Sequence, residues 1–185
     1  MAGPLTFVAA WALLGAGAER YDPTRDAISR LAALGAPTRP VMTVGLVGLG
    51  AGMALYGLAL RPDPAWVLPV ANGLTALAVA ALPLGGSVDS LHGLAATLGY
   101  LTLAAIPAVV GRHLGSARTR LSIAAGATSG LCLLASALVT RDGLFQRLGL
   151  TIAHLWVVIS ALGLLRSPDR RPGVPGARAR AARRR

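Results

Sequence analysis

The sequence predicts an all-α fold, a membrane bundle of six transmembrane helices with a short amphipathic helix in the first outer connection. Three observations lead there. The first is composition: of 185 residues, 54% are hydrophobic and 14% charged, and the mean hydropathy is +0.61, too apolar for a soluble domain of this length. The second is the spacing of charge. Arg120 and Arg141 bracket 20 uncharged residues, Arg147 and Arg166 bracket 18, and Asp89 and Arg112 bracket 22, close to the roughly 20 residues a helix needs to cross the hydrocarbon core. The third is the stretch YDPTRDAISRLAALGAP, residues 21–37, a charge-bearing connection between two long apolar runs.

Taken in order, the apolar runs give spans at 2–18, 41–60, 66–84, 91–111, 121–140 and 147–165, within a membrane domain of residues 1–166. The first ends in the small residues Gly15, Ala16, Gly17 and Ala18. It reads as a retained span rather than a cleaved signal peptide, since it lacks the basic amino-terminal region of such peptides. Gly45, Gly48, Gly50 and Gly52 in the second span, and the small-xxx-small pair Gly126 and Gly130 in the fifth, predict close helix contacts. A phosphate loop at 45–52 is excluded, because no Lys-Ser or Lys-Thr follows and no strand precedes. The single Cys132 lies in an apolar run, where it packs and forms no intrachain disulfide.

Between the first two spans, Asp22 and Pro23 start a helix and Gly35 and Pro37 end it. Ala27, Ile28, Leu31 and Leu34 fall on one stripe, with Arg25, Asp26, Ser29 and Arg30 opposite. The expected helix, residues 23–34, is about 18 Å long, too short to cross the core, and lies along the outer surface. Asp26, Ser29 and Arg30 sit three and four residues apart, within mutual reach.

Arginine placement sets the orientation. There are 18 Arg and no Lys. With six spans, the side holding both termini carries Arg61, Arg112, Arg118, Arg120 and the eight Arg of the last 20 residues, twelve in all, against six on the other side. Both termini are therefore expected in the cytoplasm, across a plasma (inner) membrane. The segment 167–185 is an Arg-rich tail with no apolar face to bury, expected to be disordered and to touch anionic lipid. Although the pI is near 11.7, basic clusters beside membrane spans serve topology and lipid contact, so the partner is the bilayer and not nucleic acid.

Polar side chains inside spans are expensive and require a partner or a cavity. His154 lies seven residues beyond Arg147, roughly 10 Å deeper along its helix, where a hydrogen bond to a neighbouring helix is the plain expectation. His92 opens the fourth span at the interface, Asn72 reads as a bond between helices, and His113 as a solvated loop residue. Asp26, Ser29, Asp89, His92, Arg147 and His154 all belong to the outer half, so an outward cavity roofed by the short helix would let water reach them. Arg147 is expected to pair with Asp89 or Asp26, or to hold an anionic group.

Two catalytic arrangements use the same residues: two His and an Asp as zinc ligands, or Ser29, His92 and Asp26 as nucleophile, base and orienter. Neither has diagnostic spacing, and HExxH and GxSxG are missing from the sequence. No metal and no cofactor is expected.

The stretch YDPTRDAISRLAALGAP, followed by Pro83 and His92 and then by Gln146-Arg147, His154 and Trp156, resembles the prokaryotic membrane proteins grouped as domain of unknown function 998. The resemblance covers nearly the whole chain and implies a compact six-helix bundle, with no activity to carry over. Members of the family this chain resembles often carry an acidic residue where it has Arg30; that departure removes any carboxylate role at position 30 and leaves Asp26 as the acid of interest. The expected function is a multi-pass membrane protein binding a lipid or small ligand through Asp26, Ser29, His92, Arg147 and His154. The alternatives are a membrane-embedded hydrolase or transferase using Asp26, Ser29, His92 and His154, and a non-catalytic assembly subunit.

Overall fold

A computed structural model describes residues 2–112, 116–139 and 142–166. The tail 167–185 and His113 lie outside them. The described residues form six α-helices and no strand: α1 (Ala2–Gly17), α2 (Arg39–Ala59), α3 (Val67–Ala81), α4 (Asp89–Gly111), α5 (Ser116–Leu138) and α6 (Asp142–Arg166). Five are long and apolar enough to cross a membrane, α3 being extended to Pro64 by the 3-10 turn leading into it. The sixth, α1, is an apolar helix of 16 residues, about 24 Å long.

Each helix packs on the next in sequence, and contacts of α6 with α1 and α4 close the ring. Large apolar side chains such as Leu13, Val44, Leu101, Leu131 and Ile159 point outward and are exposed, as hydrocarbon-facing residues are. Phe7, Met42, Leu46, Met53, Leu103, Ile106, Ala153 and Val157 fill the interior. Phe7 makes α1 part of that core.

Between apolar helices in lipid the hydrophobic effect supplies little net attraction, so close backbone approach and interhelical hydrogen bonds decide the packing. At the α2–α3 crossing a Cβ on Gly73 would lie 2.5 Å from the Gly50 carbonyl oxygen and 3.0 Å from the Ala54 nitrogen. The Gly126 and Gly130 pair behaves alike: a Cβ on Gly126 would lie 2.6 Å from the Ala104 carbonyl oxygen, and one on Gly130 would lie 3.5 Å from the Ala104 Cβ. Polar ties join other neighbouring pairs. Asn72 donates to the Gly99 carbonyl (2.8 Å) and to Thr102 (3.1 Å) on α4, and Ser129 donates to the Gly149 carbonyl (2.8 Å) on α6. Such bonds are worth roughly 0.6 kcal/mol each in a membrane.

Helix ends depart from the apolar runs for local reasons. α3 stops at Ala81, not 84, because Leu82 precedes Pro83 and takes φ −114°, ψ 75°, a proline's neighbour being driven from the helical region. α6 begins at Asp142, five residues before 147. Its first turns carry Asp142, Gln146 and Arg147, which hydropathy reads as a break, whereas an acid in the first turn favours a helix through its dipole.

The first connection differs more. Residues 23–34 were expected as one amphipathic helix; the structure has a turn over 22–26 and a five-residue 3-10 helix, Ile28–Ala32, with Ala27 extended (φ −61°, ψ 145°) between them. The break has a cause. In a continuous helix the Thr24 carbonyl would accept from the Ile28 amide, and the Asp26 carbonyl from the Arg30 amide. Instead the Ile28 amide donates to Gln146 Oε1 (2.7 Å), and the Leu144 amide and the Arg147 guanidinium occupy the Thr24 and Asp26 carbonyls (both 3.0 Å). Tertiary partners on α6 have taken the groups the helix required. Of the expected apolar stripe, Ile28 and Leu31 are buried at 3% and 2%, while Leu34 is exposed.

The α2–α3 crossing yields a test. Gly73→Ala forces two backbones apart and is expected to cost about 1–3 kcal/mol, lowering the thermal midpoint in detergent by several degrees. Gly163→Ala, whose added Cβ meets no atom within 4 Å, is expected to leave it unchanged or slightly raised.

Candidate functional site

The first connection forms a roof over one end of the ring. It is tied to α6 by the bonds just described and to the α3–α4 connection by the Leu34 amide, which donates to the Leu84 carbonyl (2.8 Å). Beneath it lies a partly open cavity of about 80 Å³, walled by α1, α2, α3, α4, α6 and the 3-10 helix. α5 packs outside, against α4 and α6. The floor is apolar, with Met42, Leu46 and Leu49 of α2 facing Ala76, Ala95, Ala96 and Leu103 of α3 and α4. Ser29, Asn72, Thr75, His92, Tyr100, Gln146 and His154 bring the polar atoms.

The five expected site residues divide into two groups. Ser29, His92 and His154 line the cavity; Asp26 and Arg147 do not. The Arg147 guanidinium is buried and donates to the carbonyls of Asp26 (3.0 Å) and Gly143 (2.8 Å) and to the Tyr21 hydroxyl. Tyr21 in turn donates to the carbonyls of Asp26 and Ala27 (3.4 and 3.3 Å). The guanidinium carbon stands 5.4 Å from the Trp11 ring centroid and 5.5 Å from that of Tyr21, within cation–π range. The expected pairing of Arg147 with the carboxylate of Asp26 or Asp89 is therefore corrected. Asp26 binds Arg30 and the Asp22 amide (2.8 Å), and Asp89 accepts from the amides of Gly85 (2.8 Å) and Gly86 (3.1 Å). Among the described residues Arg147 pairs with no acid; it donates to the Asp26 carbonyl in irregular backbone and, within α6, to the Gly143 carbonyl.

Gly143 permits this approach. A Cβ there would lie 2.5 Å from the Asp26 carbonyl oxygen and 2.7 Å from that of Pro23, so a larger residue would lift the roof off α6.

The histidines also differ from expectation. His92 is buried at 4%, not wet, and its Nδ1 lies 2.5 Å from the Leu82 carbonyl oxygen, which stabilises the Nδ1–H tautomer and leaves Nε2 as the acceptor. His154 is buried at 2% and touches Phe7 edge-on (centroids 5.7 Å, 77°). It makes no bond to a neighbouring helix: neither ring nitrogen has a hydrogen-bond partner among the described residues. Asp26 does not orient His92, whose Nδ1 is engaged by Leu82, so the nucleophile–base–orienter chain is not assembled. Among the described residues no three His, Cys, Asp or Glu gather in a metal-ligating group.

Sequence reasoning passed over Tyr21, Tyr100 and Gln146 as site residues. Gln146 left a signal: with Arg147 it forms a polar pair in the run leading into the last span. It accepts from the Ile28 amide through Oε1 and donates to the Tyr100 hydroxyl through Nε2. Nothing in the sequence marked Tyr100.

An all-helical bundle with five membrane-length apolar helices and a cavity capped by the first connection defines a multi-pass membrane protein. The chain belongs to the family described as Protein of unknown function (DUF998), which matches residues 1–163. No curated protein and no solved structure matches it.

The roof anchor gives two predictions. Arg147→Ala removes the side-chain donors that tie the Asp26 carbonyl and the Tyr21 hydroxyl to α6 and is expected to cost about 2–4 kcal/mol, with faster tryptic cleavage at Arg20 and Arg25. Arg30→Ala, removing an exposed pair, is expected to change stability by less than about 0.5 kcal/mol. Burial pushes the Tyr21 hydroxyl above its ordinary value, with Arg147 opposing the rise through its charge and hydrogen bond. Because the folded value exceeds the unfolded one, near 10, the stabilisation from the neutral phenol is fully present below pH ~10 and is lost as pH rises through the folded value. The thermal midpoint is expected to fall more steeply above pH ~10 in the wild type than in Tyr21→Phe.

Proposed function

We propose that this protein binds the end of a lipid or a small amphipathic molecule in the roofed cavity, through Ser29, His92 and His154, with Asp26 and Arg147 holding the roof. The observation that carries this reading is His154. A fully buried polar side chain without a partner costs about 1–3 kcal/mol, and buried polar groups left in that state call for an explanation such as a ligand. The apolar floor supports an occupant with a hydrocarbon part.

The membrane is the plasma membrane, with both termini cytoplasmic and the roof facing outward. The excess of twelve Arg over six on the terminal side supports that orientation. The Arg-rich segment 167–185 then lies against anionic lipid at the cytoplasmic surface, an electrostatic contact of about 1 kcal/mol per residue near the surface, with no nucleic-acid partner.

His154 and the cavity wall supply the test. If the imidazole is retained for a ligand, His154→Leu removes an unsatisfied group and leaves the ligand-free protein equally stable or more stable, while bound molecules disappear from native mass spectra of protein purified from membranes. Ala76→Leu, which fills the cavity with His154 intact, is expected to abolish the same retention. A large fall in thermal midpoint for His154→Leu, with retention unchanged in both variants, refutes the proposal.

A further inference from the structure

We propose further that the occupant of this cavity is uncharged and presents a hydroxyl group to His154. The inference rests on the ligand-binding reading above and specifies its chemistry.

Among the described residues no Asp, Glu or Arg lines the cavity, and Asp26, Asp89 and Arg147 are committed elsewhere. Asp26 is held by Arg30 and the Asp22 amide, Asp89 by the amides of Gly85 and Gly86, and Arg147 by two carbonyls and Tyr21. The Arg147 Nε has no partner, but Arg147 stands outside the lining. A phosphate, carboxylate or ammonium head would therefore enter a desolvated space with no counter-charge, a penalty that pairing would have to offset. A neutral head avoids it.

The remaining hydrogen-bonding capacity selects the head group. Gln146 is engaged through both ends of its amide, and Asn72 donates to Gly99 and Thr102. Among the described residues His154 offers two unpartnered ring nitrogens, and Ser29 and His92 line the same cavity. A neutral imidazole carries one donor and one acceptor on opposite edges of the ring, and a hydroxyl, which both donates and accepts, can bond whichever of the two faces the cavity. A carbonyl or ether oxygen satisfies only the donor. The space, about 80 Å³, is roughly half of the ~150 Å³ cavity known to hold benzene, so it takes a head and its first carbons, and the rest of a chain leaves through the open side.

Four probes sharing one chain test this: oleyl alcohol, oleyl methyl ether, oleyl phosphate and oleylamine, each added to the purified full-length protein and read by thermal shift and by competition binding. Oleyl alcohol is expected to raise the wild-type midpoint, with the shift lost in His154→Leu and in Ala76→Leu. The ether is expected to bind about tenfold more weakly, the value of one hydrogen bond. Oleyl phosphate and oleylamine are expected to give no shift that depends on His154. Ether binding equal to the alcohol overturns the hydroxyl assignment. His154-dependent binding of the phosphate or amine overturns the neutral head and leaves the binding reading standing. No His154-dependent shift from any probe overturns this inference, and loss of the binding reading as well would show separately, as native spectra of wild-type protein without bound molecules. If His154→Leu fails to fold, Ala76→Leu carries the same comparison.

Discussion

The roof depends on one constraint: a backbone that leaves helical geometry near a membrane must find other partners for its amides and carbonyls. Lipid offers none, and an unmatched group costs several kcal/mol. The turn over 22–26 and the short 3-10 helix after it break that geometry, and the first two turns of α6 repair the deficit. Gln146 accepts from the Ile28 amide, Arg147 donates to the Asp26 carbonyl, and the Leu144 amide meets Thr24. Two adjacent side chains and one amide thus convert a loop into a lid with a fixed position. The same turns also close the ring of helices, because they draw α6 against the segment leaving α1.

That arrangement explains where charge is found and where it is not. Arg147 is buried beside Trp11 and Tyr21 yet faces backbone dipoles instead of a carboxylate. A guanidinium suits this role, having five donors in a planar fork that reaches several carbonyls at once, whereas an ammonium would act as a point charge. The carboxylates stay near the surface in short-range duties: Asp89 holds the glycine turn before α4, and Asp26 closes on Arg30. Asp26, Asp89 and Arg147 are each consumed by architecture. What remains toward the cavity is neutral and polar.

The sequence made the helices legible because the relevant physics is local. Apolar length, charge spacing and small-residue pairs depend on neighbours within a few turns, and the Gly126 and Gly130 face met Ala104 as such pairs do. The roof was not legible for the opposite reason. Residues 23–34 carry a sound helical stripe and a sound start signal, but the groups that decide their conformation lie on α6, 118 residues away for Ile28 and Gln146, and 121 for Asp26 and Arg147. A helical pattern states what a segment prefers alone, and long-range hydrogen bonds overrode it. The polar residues were recognisable individually and their convergence at one end followed from topology. Their division into a lining set and a scaffolding set did not, because it turns on which way Arg147 points. The partnerless state of His154 was likewise invisible, since polar residues in spans usually find a neighbouring helix.

The cavity itself is a consequence of side-chain size. α3 and α4 pack closely, drawn together by Asn72 and by the seat of Thr75 at Gly99, where a Cβ would lie 3.1 Å from the Thr75 hydroxyl. Yet among the residues they bring to the cavity are Ala76, Ala95 and Ala96. Leucines at those positions would meet Met42, Leu46 and Leu49 and close the space without moving a helix. A bundle selected for stability alone would fill such a gap, since unfilled volume forfeits dispersion contacts. Here the small side chains stand opposite a histidine that no protein group satisfies, so two unfavourable features occupy one place. Each alone would be a packing defect; together they outline a volume with an apolar wall and a hydrogen-bonding end, and a molecule of that shape would remove both costs at once.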